Sequence, residues 1–383
     1  MKKNNWKIPL YKISNDSSEI KAISKVIKRG MDWAIGPEIE ELEKSLASYI
    51  GTKYCVSFNS GTSAGHAALL SYNLKKNEQV LVPSFSFIAT ANWPLMVNSE
   101  VKFVDIEEEN YGMDPQKFEK LISKRTKIVM PIHYAGLPCK INEIRTISKK
   151  NKISLIEDAA ESIGSKINKQ NVGTFGELGI FSFAGNKILT SGEGGAIVTN
   201  SREKFEKLKL IRSHGRKTTE NYFSSIQTPK YVELGYNWRM SSITAALCLA
   251  QLNKIEKLIN ARRQNAKYYQ KKLQKINEIK IHEEPKGYKH VYQLFSIRLP
   301  SKIIRDRLSK FLAKKGIMSK IFFEPIHMTK HFTNYKIKQN EMAITEKVSE
   351  CILSLPMYPE LTRSDINEIT DVISEFFEKR ESN

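Results

Sequence analysis

The chain has 383 residues, of which 40% are hydrophobic and 27% are charged. This length and composition are those of a globular protein with more than one domain, and they exclude a fibrous or disordered chain. Lysine and arginine outnumber aspartate and glutamate by 61 to 41, which gives a net charge of +20. Since these basic residues alternate with acids along predicted helices, they indicate a solvated surface, and nucleic-acid binding stays as the remote alternative.

The sequence indicates neither a membrane span nor a metal site. No stretch approaches the roughly 18 consecutive apolar residues of a spanning helix, and the basic N-terminus lacks the apolar region of a signal peptide. The cysteines are scattered without a CxxC pair, so neither zinc binding nor a disulfide framework is predicted. We therefore expect a cytoplasmic protein with free thiols, no membrane contact and no metal.

The first two thirds of the chain alternate between amphipathic stretches and apolar runs. Helices are predicted at Ser17–Arg29 and from Pro37 to the residue before Gly51. The predicted strands that follow are YCVSF, VLV at residues 80–82, VKFVDI, KIVMPI and ISLIED. Strands that alternate with helices indicate an α/β fold whose mostly parallel sheet is flanked by helices. Chemistry is then expected at the carboxyl ends of the strands.

Beyond residue 240 the pattern changes. Residues 241–276 are predicted as nearly continuous helix, apolar in its first half and amphipathic and charged in its second. The runs IKIHEE and HVYQLFSIRL alternate like antiparallel strands, with helices expected near residues 303–315 and 363–379. We therefore predict a large domain at residues 1–255, which includes the N-terminal segment, and a smaller α+β domain at residues 256–383.

Three motifs that are distant in sequence have the residue types of a pyridoxal-phosphate site. Lys187 lies between the aromatic segment FSF and the glycine-rich turn GEGG, Asp158 ends an apolar run, and Gly61 lies in an SGTS turn before a helix. Pyridoxal phosphate needs a lysine that binds it covalently, an anion beside its ring nitrogen and an anchor for its phosphate. Alone, each motif has an ordinary interpretation: a surface lysine, a helix cap at Asp158 or a common turn. Together they favour the cofactor.

The order of these motifs resembles the DegT/DnrJ/EryC1/StrS family of sugar aminotransferases over nearly the whole chain. The motifs are GPEIEELE, NSGTSAGHAAL, VLVPSFSFIATANW, FVDI, PIHYAGLPC, IEDAAES, VGTFGELGIFSFAGNKILTSGEGGAIVTN, LGYNWRMSSITAALCLAQL and FFEPIH. The resemblance implies the aspartate-aminotransferase-like fold, which is fold type I of pyridoxal-phosphate-dependent transferases. It also implies a homodimer whose active site lies at the subunit interface.

The resemblance further implies a reaction. An amino group would pass from L-glutamate to the 4-keto carbon of a nucleotide-linked 4-keto-6-deoxy sugar, for the synthesis of surface polysaccharides or glycans. The motifs EDAAES, FSFAGNK and HYAGLPC are most similar to the branch that aminates GDP-4-keto-6-deoxymannose. A UDP- or dTDP-linked sugar is the alternative. Relatives with histidine in place of the lysine are dehydratases, so Lys187 implies amino transfer over dehydration.

Roles at the cofactor follow from the same resemblance. Lys187 is expected to hold pyridoxal phosphate covalently and to move the proton between the cofactor and the substrate carbon, as the catalytic residue. Asp158 is expected to pair with the ring nitrogen. The residues expected at the phosphate are Gly61, Thr62, Ser182 and, from the neighbouring subunit, Asn237.

Other positions of the family pattern carry weaker implications. Phe87 matches the aromatic residue that stacks on the cofactor, with Phe85 or an ordinary core role as the alternative. Glu161 is expected near the cofactor's O3′, where many relatives have glutamine. His133 and His214 also fall in family motifs, and packing or interface roles suit them equally.

The substrate end is matched by two residues. Trp33 precedes the GPE segment, and His327 lies in FFEPIH, although a single histidine is more often structural. Relatives often have arginine and proline before this segment, where this chain has Lys320 and Ile321. The departure leaves the contacts to the nucleotide or the sugar open.

Overall fold

The computed structural model describes residues 6–217, 226, 228–334 and 342–381. Within them the helices are α1 Ser17–Arg29, α2 Pro37–Ile50, α3 Gly61–Leu70, α4 Ala89–Met96, α5 Pro115–Leu121, α6 Ile141–Lys150, α7 Arg202–Arg212, α8 Ser242–Leu252, α9 Ile255–Leu273, α10 Lys302–Lys314, α11 Lys330–Asn334, α12 Ala343–Cys351 and α13 Arg363–Glu381. The strands are β1 Tyr54–Phe58, β2 Gln79–Pro83, β3 Glu100–Val104, β4 Thr126–Val129, β5 Ser154–Asp158, β6 Lys166–Ile167, β7 Gln170–Asn171, β8 Leu178–Ser182, β9 Gly195–Thr199, β10 Arg216–Lys217, β11 Lys230–Tyr231, β12 Lys280–Ile281, β13 Tyr288–Lys289, β14 Phe295–Arg298 and β15 Ile352–Leu355.

The central sheet has seven strands in the order β1-β9-β8-β5-β4-β2-β3. Its strands pair in parallel except β9, which is antiparallel to both β1 and β8. Because the connection from β8 to β9 contains no helix, the chain returns in the opposite direction. The predicted mostly parallel sheet is confirmed, and the antiparallel strand within it was not predicted.

Helices cover both faces of this sheet. On one face Val80 of β2 packs in the same core as Trp93 of α4, and on the other Leu81 packs with Phe118 of α5. Successive side chains of a strand point to opposite faces. A strand that is buried on both faces therefore has apolar residues at successive positions. This is the pattern from which β2 was predicted.

The first helix has the boundaries that its sequence indicates. Asp16 accepts a hydrogen bond from the backbone of Ser18, and the Glu19 side chain accepts one from the backbone of Asp16, which together cap the N-terminus. Gly30 ends the helix in the left-handed conformation, which glycine adopts without steric cost. The predicted helix at Ser17–Arg29 is confirmed.

The long helix predicted at residues 241–276 is two helices, α8 and α9, separated by Asn253 and Lys254. The Lys254 Nζ lies 3.1 Å from Asp16 Oδ2 and 2.5 Å from Glu19 Oε1, so the turn is bound to the start of α1. The turn keeps α8 against α1 and α2 and directs α9 toward the C-terminal part. No glycine or proline at this point could have indicated it.

A separate core lies in the C-terminal part of the chain. It joins the antiparallel sheet β12-β14-β15 with the second half of α9 and with α10 and α13, through side chains such as Tyr269, Leu308 and Ile373. Ile8 also packs in this core. The division at residue 255 stays a prediction. The separate core supports it, but Ile8, which was assigned to the large domain, packs in the C-terminal core. Helix α12 and strand β15 were not predicted.

Candidate active site

A cavity of about 720 Å³ opens at the carboxyl ends of the central strands. Its wall is formed by the segments that end or follow β1, β2, β5 and β8, as expected for an open α/β sheet. The predicted site residues that line it are Gly61, Thr62, Phe87, Asp158, Glu161, Ser182 and Lys187. The fold therefore brings residues from four distant motifs to one cavity.

Lys187 lies in the loop between β8 and β9. Its Nζ is 3.2 Å from Glu161 Oε1, and both side chains are largely covered, with exposed fractions of 14% and 13%. The other oxygen of Glu161, Oε2, accepts a hydrogen bond from the backbone N–H of Ala135 at 3.0 Å. The amino group is thus held inside the cavity by a carboxylate that is itself fixed.

Asp158 is the last residue of β5 and is 7% exposed. Its Oδ2 accepts a hydrogen bond from the Thr90 hydroxyl at 2.7 Å, and its Oδ1 accepts one from the Ala160 backbone at 3.1 Å. Burial raises the pKa of this carboxyl above its ordinary value, against the opposing effects of these hydrogen bonds. A cation in the cavity would stabilise the charged form, so the site fits a protonated ring nitrogen.

The start of α3 fits a phosphate. Ser60 caps the helix by accepting a hydrogen bond from the Ser63 backbone at 3.0 Å, and the first N–H groups, at Gly61 and Thr62, have no partner within the helix. A Cβ at Gly61 would lie 2.9 Å from the Cβ of Ser182, so glycine allows the turn to approach the Ser182 hydroxyl. Free N–H groups beside a hydroxyl at a helix N-terminus form an anion site.

The two phenylalanines considered for stacking differ in position. Phe87 is 61% exposed and lines the cavity, with its ring centroid 6.4 Å from that of Phe323. Phe85 is fully buried beside Tyr134 and Tyr111. Only Phe87 of this pair offers a ring to a bound molecule, so it keeps the proposed stacking role.

The two adjacent acids at the end of β5 point in different directions. Glu157 is fully buried and accepts hydrogen bonds from the backbones of Gly173, Phe175 and Gly176, and its Oε2 is 3.0 Å from Nε2 of His133. Because successive side chains of a strand alternate, Glu157 and Asp158 could not both face the cavity. Glu157 therefore stabilises a loop and the ring of His133, which is itself buried.

Three predicted residues do not line this cavity. His327 is buried, with Nδ1 2.6 Å from the Ser84 hydroxyl and Nε2 3.2 Å from Glu346 Oε1. Trp33 is 45% exposed, and its indole N–H donates to the Val26 backbone. Asn237 is exposed, and its contact with a second subunit stays a prediction. A substrate role for His327 or Trp33 stays a prediction.

Sequence reasoning missed two residues that hold the cofactor side of the cavity. Thr90 binds Asp158, and a hydroxyl residue at the first turn of a helix after a strand was a signal that could have suggested it. Gln293 lines the cavity, is hydrogen-bonded to the Lys187 loop and comes from the C-terminal part of the chain. No sequence pattern connects it to Lys187, because only the fold brings them together.

Two negative findings apply to the part of the chain that the structure describes. There, no group of three or more histidine, cysteine, aspartate or glutamate side chains is arranged to hold a metal ion. Among the described helices, none combines the length and the apolar character that crossing a bilayer requires.

The chain is similar over most of its length to a known family of aminotransferases. The model of the DegT/DnrJ/EryC1/StrS aminotransferase family matches residues 14–374. The chain is 32% identical to GDP-perosamine synthase of Vibrio cholerae, over 97% of this chain and 99% of that protein. It is 35% identical to a UDP-N-acetyl-3-dehydro-alpha-D-glucosamine 3-aminotransferase of Acidithiobacillus ferrooxidans, over 89% of each. Among solved structures it resembles Helicobacter pylori PseC, an aminotransferase involved in the biosynthesis of pseudoaminic acid, with a TM-score of 0.90, 27% identity and coverage of 97% and 99%.

Proposed function

Since the chain belongs to the DegT/DnrJ/EryC1/StrS aminotransferase family and is a pyridoxal-phosphate-dependent sugar aminotransferase, we propose that it transfers an amino group from L-glutamate to the 4-keto carbon of GDP-4-keto-6-deoxymannose. The product would be GDP-perosamine, a precursor of a surface polysaccharide such as an O-antigen or of another glycan. The observation that carries the site assignment is the convergence of Lys187, Asp158 and the start of α3 on one cavity.

The residues of the cavity have complementary roles in this proposal. Pyridoxal phosphate, when bound, supplies a ring that withdraws electrons from the adjacent carbon and so allows a proton to leave it. The Lys187 amino group holds the cofactor and carries the proton to and from the substrate carbon. Glu161 orients that amino group, since its carboxylate oxygen lies 3.2 Å from Nζ. Asp158 balances the positive ring nitrogen.

The remaining cofactor contacts position it. The N–H groups of Gly61 and Thr62 and the Ser182 hydroxyl bind the phosphate, and Phe87 covers one face of the ring. Because glutamate and the sugar are converted in the same cavity, the two half-reactions follow each other in a ping-pong cycle. Glutamate leaves its amino group on the enzyme before the keto sugar receives it.

The choice of substrate is the finer part of the proposal. The relative from Vibrio cholerae supports a GDP-linked sugar, and it matches nearly the full length of the chain. The relative from Acidithiobacillus ferrooxidans has a UDP-linked sugar in its name and a slightly higher identity. A UDP- or dTDP-linked keto sugar is therefore the second candidate.

We propose that the working unit is a homodimer in the cytoplasm. The chain segment that leads to Asn237 exposes the apolar side chains of Tyr231, Val232 and Leu234, at 60%, 55% and 79%. Several exposed apolar side chains close together in one segment are typical of a surface that a partner protein covers. Asn237 of the neighbouring subunit would then reach the phosphate. The free cysteines suit a reducing compartment.

The test is incubation of the purified protein with L-glutamate and a panel of GDP-, UDP- and dTDP-linked 4-keto-6-deoxy sugars. Mass spectrometry and NMR of the products identify the accepted nucleotide and the aminated carbon. We expect an amino sugar and 2-oxoglutarate in equal amounts, with the GDP-linked substrate converted fastest. Loss of a hydroxyl group without incorporation of nitrogen would instead identify a dehydratase, and an unchanged panel would contradict the proposal.

A further inference from the structure

The backbone around Lys187 has an unusual pair of partners. The Gln293 side chain donates from Nε2 to the carbonyl oxygen of Asn186 at 2.8 Å and accepts at Oε1 from the N–H of Ile188 at 3.0 Å. These two groups lie on either side of Lys187 in a loop that is neither helix nor strand. One side-chain amide therefore satisfies the peptide groups before and after the lysine, as a neighbouring strand would in a sheet.

We propose that Gln293 is a positioning residue that fixes the backbone on both sides of Lys187 and thereby the direction in which the amino group enters the cavity. We name the two hydrogen bonds from Gln293 to Asn186 and Ile188 the Gln293 clasp. The inference rests on the proposed role of Lys187, since the clasp matters for catalysis only if that lysine reacts.

The clasp is largely covered by the protein. Gln293 and Ile188 are each 4% exposed, so the hydrogen bond at Ile188 is buried, and the one to Asn186 is partly buried. A buried N–H or carbonyl group that loses its partner has no substitute and destabilises the conformation that buries it. The loop around Lys187 is therefore held in the one arrangement that satisfies both groups.

Gln293 is itself anchored from behind. The Arg262 guanidinium, 2% exposed, donates from Nη1 to the carbonyl oxygens of Tyr292 (3.1 Å), Gln293 (3.4 Å) and Met357 (3.0 Å). The backbone that carries the clasp is thus fixed to helix α9 and to the segment after β15. These three hydrogen bonds restrain the backbone of Gln293 and so fix the position of its side-chain amide.

The clasp also completes a closed series of hydrogen bonds around the lysine. The N–H next to Gln293, at Leu294, donates to the carbonyl oxygen of Ala135 at 3.3 Å, and the N–H of Ala135 donates to Glu161. Glu161 then holds the amino group of Lys187. The lysine is therefore held at its backbone by Gln293 and at its amino group by Glu161, and both holds are tied to the same short segment.

The arrangement requires an amide. A methionine of similar shape would leave both the Asn186 carbonyl and the Ile188 N–H without a partner. A glutamate could accept from Ile188, but its second oxygen would face the Asn186 carbonyl oxygen, and both are acceptors. It would also place a negative charge close to Lys187, which favours the charged form of an amine.

The experiment compares Gln293→Met with Gln251→Met. Gln251 is the matched control because it is 1% exposed and donates to the Ser14 carbonyl and to Glu19, away from the cavity. Hydrogen exchange is measured on the apoprotein, so the clasp is tested without reference to the cofactor. We expect exchange at the Ile188 amide to become ~10-fold faster or more in Gln293→Met and to stay at the wild-type rate in Gln251→Met.

Activity provides the second measurement. Misplacement of a reacting group by a fraction of an ångström to 1 Å lowers rates strongly, so we expect kcat of Gln293→Met to fall about 10- to 100-fold with a smaller change in KM. Gln251→Met should retain kcat. Unchanged exchange at Ile188, or an equal loss of kcat in Gln251→Met, would overturn the proposal.

If Gln293→Met does not fold, Gln293→Glu replaces it. The absorption of the bound cofactor is then titrated with pH, and we expect its transition to move to higher pH by about one unit because of the added charge. No movement would contradict the clasp. Failure of the proposed function is recognised separately, because the panel of nucleotide sugars would then stay unchanged whatever the exchange rate at Ile188.

Discussion

The cavity has two walls that are built differently. The inner wall, with Asp158, Ser182 and Lys187, consists of strand ends and one loop whose side chains are held by hydrogen bonds to neighbouring groups. The outer wall includes Tyr11 and Lys320, which are both exposed and come from separate segments. From this difference we propose that the hydrogen-bonded inner wall determines the reaction and that the exposed outer wall selects the substrate.

The largest expected effect is on the inner wall, at Lys187. We expect Lys187→Ala to lower turnover by about 10⁴-fold or more, since loss of a catalytic nucleophile has effects of this size in other enzymes. The variant should still fold, because among the described residues the side chain is ion-paired with Glu161 alone. Turnover and the absorption of the bound cofactor measure this. Lys169→Ala, an exposed lysine, is the control, and an active Lys187→Ala would remove the basis of the comparison.

The next largest effect is expected at Asp158. Asp158→Asn should lower kcat by about 100- to 1000-fold, because a neutral amide does not keep the ring nitrogen protonated. Cofactor binding should persist. The adjacent Glu157→Gln offers the contrast, because Glu157 supports a loop and should affect the melting temperature more than kcat.

The same substitution has a pH signature in the apoprotein. Burial raises the pKa of Asp158 in the folded state above its value in the unfolded chain. Above the raised pKa the carboxyl is ionised and its burial destabilises the fold. Below the unfolded pKa it is neutral in both states, and this cost is gone. Asp158→Asn should therefore raise the melting temperature at neutral pH, and the gain should disappear as the pH falls through the raised pKa. A melting series against pH measures this. A gain that grew on acidification would contradict the assigned direction of the shift.

A smaller effect is expected at the phosphate. Ser182→Ala removes one hydroxyl beside Gly61, and a hydrogen bond to a charged group is worth ~1.5–3 kcal/mol, or roughly 10- to 100-fold in affinity. We expect weaker binding of pyridoxal phosphate in an equilibrium titration, with nearly normal kcat once the site is saturated. A fall in kcat at saturation would show that Ser182 does more than anchor the cofactor.

The smallest effect is expected on the outer wall. Lys320 lines the cavity, and within the described ranges no carboxylate lies at ion-pair distance from it. Its ammonium group lies 5.1 Å from the centre of the Phe322 ring. Lys320→Ala should raise KM for the nucleotide sugar about 3- to 10-fold and leave the half-reaction with glutamate unchanged, with a difference that shrinks at high salt. An equal loss of activity in the glutamate and nucleotide-sugar half-reactions would contradict a role of the outer wall in substrate selection alone.

The inner wall could be predicted from sequence because its signals are local. A strand that ends in an acid, a turn before a helix and a lysine before a glycine-rich segment each lie in a short run of residues, and β5, α3 and Lys187 were located from them. The contacts of the outer wall could not be predicted in this way, because they lack such local signals. His327 was selected from a motif, but the fold buries it between Ser84 and Glu346.

Elements without local signals were also missed. The turn at Asn253 and Lys254 is bound by ion pairs to the start of α1, and β9 runs antiparallel after a connection without a helix. Gln293 acts on a loop that is far from it in sequence. Sequence patterns report what each segment does alone, so contacts between distant segments become visible only in the fold.

The N-terminal segment has a consequence for how the protein is made. Ile8 pairs with Ile317, and the carbonyl oxygen of Leu10 accepts from the N–H of Met357, so this segment cannot pack until residues more than 300 positions later have been made. Leu10 and its neighbour Tyr11 line the cavity. The central sheet can form earlier during synthesis, but this side of the cavity is complete only after residues 317 and 357 have been made. Chains that stall before that point would have the strand ends of the cavity without the part of its wall that Leu10 and Tyr11 form.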